Sequence, residues 1–250
     1  MFGVISTLAA LAFFVVTAGG GLVWDAGILP YALAFGVSYA SATVGVVIAL
    51  SCGSLSLTTL ITSYSLVMPT AYGLVFLKDP ISVGLFPGLV LLVISLMLVT
   101  QKTESVPISP KWVIWVLITF VGNGMCSITQ KMQQNAFDGA YKNEFMIISL
   151  TIVIVILGTM AVIKERKQAV ECLKIGKFQG PVCGLMNGMV NLFVMKLSGR
   201  MPVSVMFPLI SAGGIIVTYV VSRLVFREKL TKRQLVGFVM GTASVVLLNI

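Results

Sequence analysis

The chain consists almost entirely of apolar stretches that are about as long as a membrane is thick. Nine such stretches follow one another with short connections, at about 1–17, 28–50, 55–77, 81–100, 111–131, 145–163, 178–197, 201–225 and 233–249. A helix of about 20 apolar residues crosses the hydrocarbon core of a bilayer. Lipid offers the backbone no hydrogen-bonding partner, so such stretches must form helices. The sequence therefore predicts an all-α fold, a polytopic helical membrane protein without a soluble domain.

The composition agrees with this class and argues against others. Hydrophobic residues make up 58% of the chain and charged residues 10%, whereas ordinary soluble domains contain about 25% charged residues. The net charge of +9 does not indicate a nucleic-acid partner, because the basic residues lie in connections where orientation and lipid head groups explain them. The four cysteines have no metal-ligand spacing and histidine is absent. We therefore expect a lipid bilayer as surroundings, with no nucleic acid, cofactor, metal or catalytic residue.

The chain also contains an internal repeat. Ser56–Thr100 aligns without a gap with Val205–Asn249. Identical residues fall at Leu60/Leu209, Ile61/Ile210, Gly88/Gly237, Val90/Val239, Ser95/Ser244 and Leu98/Leu247. A charged turn lies between the aligned helices in each copy, at 77–82 and at 226–231. A membrane chain built from two related halves is typical of a secondary transporter.

Small residues extend the repeat toward the N-terminus. Ala32, Gly36 and Ala40 in the second stretch align with Gly180, Gly184 and Gly188 in the seventh, and such spacing lets helix backbones pack closely. Spans one to four then match spans six to nine. We predict two inverted repeats of about five transmembrane helices, 1–104 with four visible helices and 105–250 with five, the first helix of the first repeat being missing. A true nine-span protein is the alternative.

The C-terminal part resembles a known family. Pro208-Leu209-Ile210, the turn Phe226-Arg227-Glu228-Lys229-Leu230-Thr231, and the small-residue helix that contains Gly237 are similar to the second EamA repeat of the drug/metabolite transporter superfamily. The first half departs from that pattern with Asp79-Pro80, where the family usually has Glu in a basic context. The resemblance implies a multi-pass transporter, not an enzyme, with ten spans and both ends in the cytoplasm. We expect it in the cell membrane.

The distribution of charge predicts a different orientation. Most Lys and Arg residues lie in the connections at 101–111, 164–177 and 226–233, and few lie in the opposite connections. Short connections rich in Lys and Arg stay in the cytoplasm. The charge bias therefore places the C-terminus outside, whereas the resemblance places it inside. We favour the charge bias, and both orientations remain open.

Polar side chains within the spans are the candidates for a substrate site, since each is costly in lipid unless it lines a cavity or has a partner. Asn187 and Asn191 are four residues apart and share one helix face, where they bind either a substrate or a neighbouring helix. Lys196 and Arg200 are also one turn apart, and such a cation pair suits a carboxylate or phosphate, with snorkelling to the interface as the alternative role of both. Further polar residues include Asn123 and Gln130. The candidate substrate-binding residues are Ser38, Tyr39, Thr62, Tyr64, Asn187, Asn191, Lys196 and Tyr219.

Prolines, tryptophans and carboxylates add three further expectations. We expect Pro69 and Pro208 to interrupt their helices, because proline removes a backbone hydrogen bond. Tryptophans at span ends are typical interface anchors, and those of this chain are Trp24, Trp112 and Trp115. All eight carboxylates lie in connections or at span ends, so the visible chain has no conventional buried proton relay.

The sequence as a whole predicts a secondary transporter. It would move a small polar metabolite, anionic or zwitterionic, by alternating access between the two repeats. A flippase for a lipid-linked substrate, or a non-transporting accessory membrane protein, is the alternative. A homodimer is compatible with the sequence.

Overall fold

The structure, a computed structural model, describes residues 1–53, 58, 61–81, 83–99, 109–164, 176–224 and 231–248. This described part is helical and contains no strand, which confirms the predicted all-α fold. Its helices are α1 (Phe2–Ala18), α2 (Leu29–Cys52), α3 (Val67–Phe76), α4 (Leu85–Val99), α5 (Pro110–Ala136), α6 (Lys142–Lys164), α7 (Gln179–Ser198), α8 (Val203–Leu224) and α9 (Lys232–Leu248).

Several helices are suited to cross a membrane. Within the described residues, Ala26–Cys52, Pro110–Ala136 and Lys142–Ile163 are long and apolar enough to do so by length and composition. Shorter apolar helices lie at Phe2–Ala18, Leu85–Leu98 and Val203–Gly214. Large apolar side chains are exposed along several of the helices, as expected where the surroundings are lipid rather than water.

The chain divides into two compact units. The first unit comprises Met1–Val44 and Met125–Arg200, and the second comprises Gly45–Gly124 and Met201–Ile250. Each unit therefore takes helices from both halves of the sequence. The predicted boundary between the two repeats, near residue 104, does not coincide with a boundary of these units. It stays a prediction about the sequence.

In the first unit, α7 packs closely against α1 through its small residues. A Cβ atom added to Gly184 would lie 2.0 Å from the carbonyl oxygen of Ser6, and one added to Gly180 would lie 2.8 Å from the Ile5 side chain. Only glycine permits so close an approach to a neighbouring backbone. The predicted role of this small-residue ridge in helix packing is confirmed.

In the second unit, α4 and α9 exchange two buried hydrogen bonds. The Ser95 hydroxyl donates to the carbonyl oxygen of Gly237 at 2.6 Å, and the Ser244 hydroxyl donates to that of Gly88 at 2.8 Å. The pairs run in opposite order along the two helices, so α4 and α9 are antiparallel. Ser95/Ser244 and Gly88/Gly237 are identities of the sequence repeat, so each bond is the counterpart of the other. Equivalent helices of the two repeats therefore run in opposite directions, as in an inverted repeat.

The two prolines differ in their effect. Pro69 lies in the first turn of α3, directly after a 3₁₀ turn at Tyr64–Leu66 that interrupts the span, as predicted. By contrast, α8 continues through Pro208 as one helix of 22 residues. The interruption predicted at Pro208 is therefore wrong. Proline removes one hydrogen bond, and the other backbone hydrogen bonds keep α8 helical on both sides of Pro208.

Two of the three tryptophans, Trp112 and Trp24, differ from each other. Trp112 is only 6% exposed, and its indole Nε1 donates to the hydroxyl of Thr58 at 2.9 Å. A Cβ atom added to Gly53 would lie 2.0 Å from the Trp112 ring, so this glycine makes room for the indole. The prediction that Trp112 is an interface anchor is wrong, because its polar nitrogen has a protein partner. Trp24 is 68% exposed and fits that role.

Candidate substrate site

A set of hydrogen bonds joins three helices of the first unit. The Tyr39 hydroxyl of α2 donates to Asn187 Oδ1 of α7 at 3.3 Å. Asn191 Nδ2, one turn further along α7, donates to the same oxygen at 2.8 Å. Gln130 Nε2 of α5 donates to Asn191 Oδ1 at 2.7 Å. We call these four residues, Tyr39, Gln130, Asn187 and Asn191, the amide network.

Packing holds the members of the amide network in place. The Tyr39 ring stacks on Phe35, with ring centroids 5.8 Å apart. Gln130 is 3% exposed, and its Nε2 also contacts the sulfur of Met146 at 3.9 Å. Asn191 Nδ2 additionally donates to the backbone carbonyl of Asn187 at 2.9 Å. Tyr39, Gln130 and Asn191 are therefore each held by at least one further contact.

The hydrogen bond between Tyr39 and Asn187 reflects the repeat. Their separation along the chain equals the separation of Gly36 from Gly184 in the aligned small-residue ridges. Tyr39 and Asn187 therefore occupy equivalent positions in the two halves. The site uses a phenol in one copy and a carboxamide in the other, so it is not chemically symmetric.

The amide network leaves hydrogen-bonding groups unused. Asn187 Oδ1 accepts two hydrogen bonds, but within the described residues Asn187 Nδ2 donates none. Gln130 Oε1 likewise accepts no hydrogen bond from a described residue. Asn187 is only half-buried. The network can thus offer a donor and an acceptor, both uncharged.

The structure brings together only some of the predicted site residues. Tyr39, Asn187 and Asn191 meet in the amide network, and the half-buried Ser38 makes no side-chain hydrogen bond to that network. Lys196 is exposed near the end of α7.

The remaining predicted residues lie in the second unit or are not described. The Tyr64 hydroxyl donates to the backbone carbonyl of Val93 at 3.1 Å, and Thr62 Oγ1 is buried without a hydrogen-bond partner among the described residues. The side chain of Tyr219 lies outside the described residues. The assignment of Thr62, Tyr64 and Tyr219 to a substrate site stays a prediction.

A buried polar face at the end of α5 was missed by sequence reasoning. Lys131 is 9% exposed, and its ammonium group donates to the backbone carbonyl of Ser198 at the end of α7. Gln133 and Gln134 are almost fully buried, and Gln133 Nε2 donates to the Ala140 carbonyl at 3.1 Å. The signal that could have revealed this face is the helical spacing of Gln130, Gln133 and Gln134. The structure continues α5 to Ala136, whereas the predicted span ended at residue 131. Within the described ranges, no cluster of three His, Cys, Asp or Glu side chains could hold a metal ion.

The fold and this site define a helical integral membrane protein with antiparallel equivalent helices. The model of the EamA-like transporter family matches residues 110–250. Because this match covers more than half of the chain, the protein belongs to the EamA-like transporter family. It is therefore a membrane protein of a transporter family, as the C-terminal resemblance predicted.

Comparison with solved structures adds information on the fold alone. A crystal structure of a protein is similar with a TM-score of 0.79 and 8% sequence identity, over 98% of this chain and 85% of that chain. At such low identity the similarity concerns architecture and not activity. No curated protein gives a significant match.

Proposed function

We propose that this protein is a secondary transporter that moves a small polar metabolite across the cell membrane by alternating access between its two repeats. The observation that carries the proposal is the amide network with its unused Asn187 Nδ2 group. Asn187 and Tyr39 are far from the ends of α7 and α2. Polar groups at such depth are expensive in lipid and commonly mark a transport pathway.

The hydrogen-bonding groups of the network favour a ligand over a purely structural role. A hydrogen bond between membrane helices contributes about 0.6 kcal/mol on average, so a network kept only for helix packing would gain little. Asn187 Nδ2 and Gln130 Oε1 remain unused among the described residues, and neither is one of the fully buried atoms without a partner. A ligand with one acceptor and one donor would complete both.

The available groups suggest the substrate class. The amide network offers uncharged hydrogen-bonding groups, which suit hydroxyl, carbonyl, amide or carboxylate groups. In the described part of the chain, Asp25, Asp79 and Asp138 lie outside the α-helices and Glu144 lies in the first turn of α6. No described carboxylate therefore faces the middle of a helix to pair with a bulky cation. This favours a small polar metabolite that is anionic or zwitterionic over a bulky cation.

Features of the second unit support the alternating-access mechanism. The antiparallel pair of α4 and α9 is held by two reciprocal buried hydrogen bonds, which suits a fixed scaffold. The neighbouring α8 contains Gly213 and Gly214, and Cβ atoms added there would meet no atom within 4 Å. The 3₁₀ turn at Tyr64–Leu66 precedes α3. Inverted repeats with interrupted or flexible helices are the usual basis of alternating access.

The proposal can be tested without knowing the substrate. Proteoliposomes are loaded with a pooled extract of small polar metabolites, and efflux is followed by mass spectrometry. We expect the wild-type protein to release at least one metabolite faster than protein-free liposomes, and Asn187→Leu to release it at least about tenfold more slowly, because substrate hydrogen bonds are lost.

The control is Thr159→Val, which removes an exposed hydroxyl that donates to the carbonyl of Val155 on its own helix. This variant should transport like wild type. Efflux from Asn187→Leu at the wild-type rate would remove Asn187 from the site, and no efflux by the wild type of any metabolite in the pool would contradict the proposed transport of small polar metabolites.

A further inference from the structure

A cavity opens in the first unit where α1 and α7 end and α6 begins. Its volume is about 490 Å³, within the range of about 300–1,000 Å³ that is usual for small-molecule sites. The residues that line it are Thr17, Gly139, Tyr141, Lys142, Asn143, Glu144, Leu192 and Lys196. The amide network is not part of this lining.

Two lysines from different helices line the cavity. Lys142 is the first residue of α6, and Lys196 lies in the last turn of α7. Neither ammonium group forms an ion pair with a carboxylate of a described residue. The carboxylate in the lining, Glu144, accepts a hydrogen bond at Oε1 from the backbone N–H of Val23 at 3.1 Å. The lining therefore carries two cations and one carboxylate, and this net positive charge attracts an anionic group.

The turn between α5 and α6 gives the cavity a fixed wall. The Ala140 carbonyl accepts the hydrogen bond from Gln133 Nε2. The Tyr141 ring packs edge-to-face on Phe137, with centroids 5.5 Å apart. Tyr141 has a φ of 55°, in the left-handed region that residues other than glycine rarely adopt. Its neighbours must enforce this conformation, so the wall is ordered before any ligand arrives.

We infer that this cavity binds the carboxylate or phosphate group of a small molecule between Lys142 and Lys196. Lys196 lies five residues beyond Asn191, or about 7.5 Å along the axis of α7. An anionic metabolite bound in the cavity would therefore lie near the end of the helix that carries the amide network. That such a ligand is the transported substrate rests on the proposed function, whereas binding in the cavity does not. The phosphate of a lipid head group has the same chemistry.

Inorganic phosphate is the probe for the test. The full chain is purified in a phosphorus-free maltoside detergent, and phosphate binding is measured from the broadening of its ³¹P NMR signal. We expect Lys142→Gln and Lys196→Gln each to bind phosphate about tenfold more weakly than wild type, since each removes a charge-assisted hydrogen bond. Lys196→Arg keeps the charge and should retain binding.

The matched control is Lys177→Gln. Lys177 is exposed and lies over the Phe178 ring before the start of α7, outside the cavity lining, and its replacement should leave binding unchanged. Equal phosphate affinity in wild type and in both cavity variants would overturn the inference, as would the absence of binding by wild type. Loss of binding in Lys177→Gln equal to that in Lys196→Gln would also overturn it, because the effect would then be one of overall charge.

A second measurement identifies the source of the anionic group. The titration in maltoside detergent is repeated with and without added phosphatidylglycerol. Competition by phosphatidylglycerol supports the site and assigns it to a lipid head group, whereas unchanged binding supports it and assigns it to a soluble anion. If phosphate fails to bind while Asn187→Leu still stops metabolite efflux, the cavity inference falls and the proposed transport function stands.

Discussion

Replacement of Gly184 by alanine tests the packing of α7 on α1. The new Cβ atom would lie 2.0 Å from the Ser6 carbonyl oxygen and 2.8 Å from the Ala9 Cβ. Carbon–oxygen contacts between helices are normally about 3.3 Å or longer, so α1 would have to move by more than about 1 Å. Overpacking of this kind costs about 1–3 kcal/mol, and we place Gly184→Ala at the upper end because a backbone atom is struck.

Alanine also favours the helix over glycine by up to about 1 kcal/mol, which offsets part of that cost. The expected net loss of stability for Gly184→Ala is therefore about 2 kcal/mol. The matched control is Gly158→Ala in α6, where an added Cβ would meet no atom within 4 Å. This variant should be unchanged or stabilised by up to about 1 kcal/mol.

The assay is unfolding of the purified protein by SDS titration or heat, with helix content followed by circular dichroism. The two alanine variants differ only in what the new methyl group meets, so their comparison isolates the contact. Equal stability of Gly184→Ala and Gly158→Ala would refute the close packing of α7 on α1.

Three further predictions use the same unfolding assay or a simple fusion. Asp79 Oδ2 accepts a hydrogen bond from the Ser204 N–H at the start of α8, at 2.9 Å, so Asp79→Ala should lower stability by about 0.5–2 kcal/mol; unchanged stability would contradict this capping role. Ser95→Ala and Ser244→Ala should destabilise the protein equally, by about 0.6 kcal/mol each, and a large difference would contradict the reciprocal pairing. A reporter that is active only in the cytoplasm, fused after Ile250, should be inactive if the charge bias sets the orientation. An active reporter would place the C-terminus in the cytoplasm and contradict the charge bias.

Local patterns in the sequence predicted the helices well. Eight of the nine apolar stretches coincide with described helices to within about five residues, because lipid leaves an apolar segment few alternatives to a helix. The third stretch, 55–77, falls partly outside the described residues, and its second half contains α3. The spacing of Gly180, Gly184 and Gly188 predicted a packing face, because small residues four apart lie on one side of a helix and let another helix come close. Features that depend on contacts between distant parts of the chain could not be predicted from local sequence patterns. Trp112 is buried because Thr58 accepts its N–H and Gly53 leaves room for the ring.

The candidate site was predictable only in part. The four-residue spacing of Asn187 and Asn191 placed both on one helix face, and the structure joins them. Their partners Tyr39 and Gln130 come from helices that are distant in sequence, so no local pattern could pair them. The buried Lys131 looked like part of a connection, because its partner is a backbone carbonyl at the end of another helix.

The substrate role of the amide network is tested most directly by binding. The metabolite that the wild-type proteoliposomes release is titrated by calorimetry into purified wild-type protein and into Asn187→Leu, with Thr159→Val as the control. We expect Asn187→Leu to bind it at least about tenfold more weakly, since a hydrogen-bond donor to the ligand is lost, while the control binds like wild type. Equal affinity in wild type and Asn187→Leu would show that Asn187 does not contact the substrate and would contradict the proposed site.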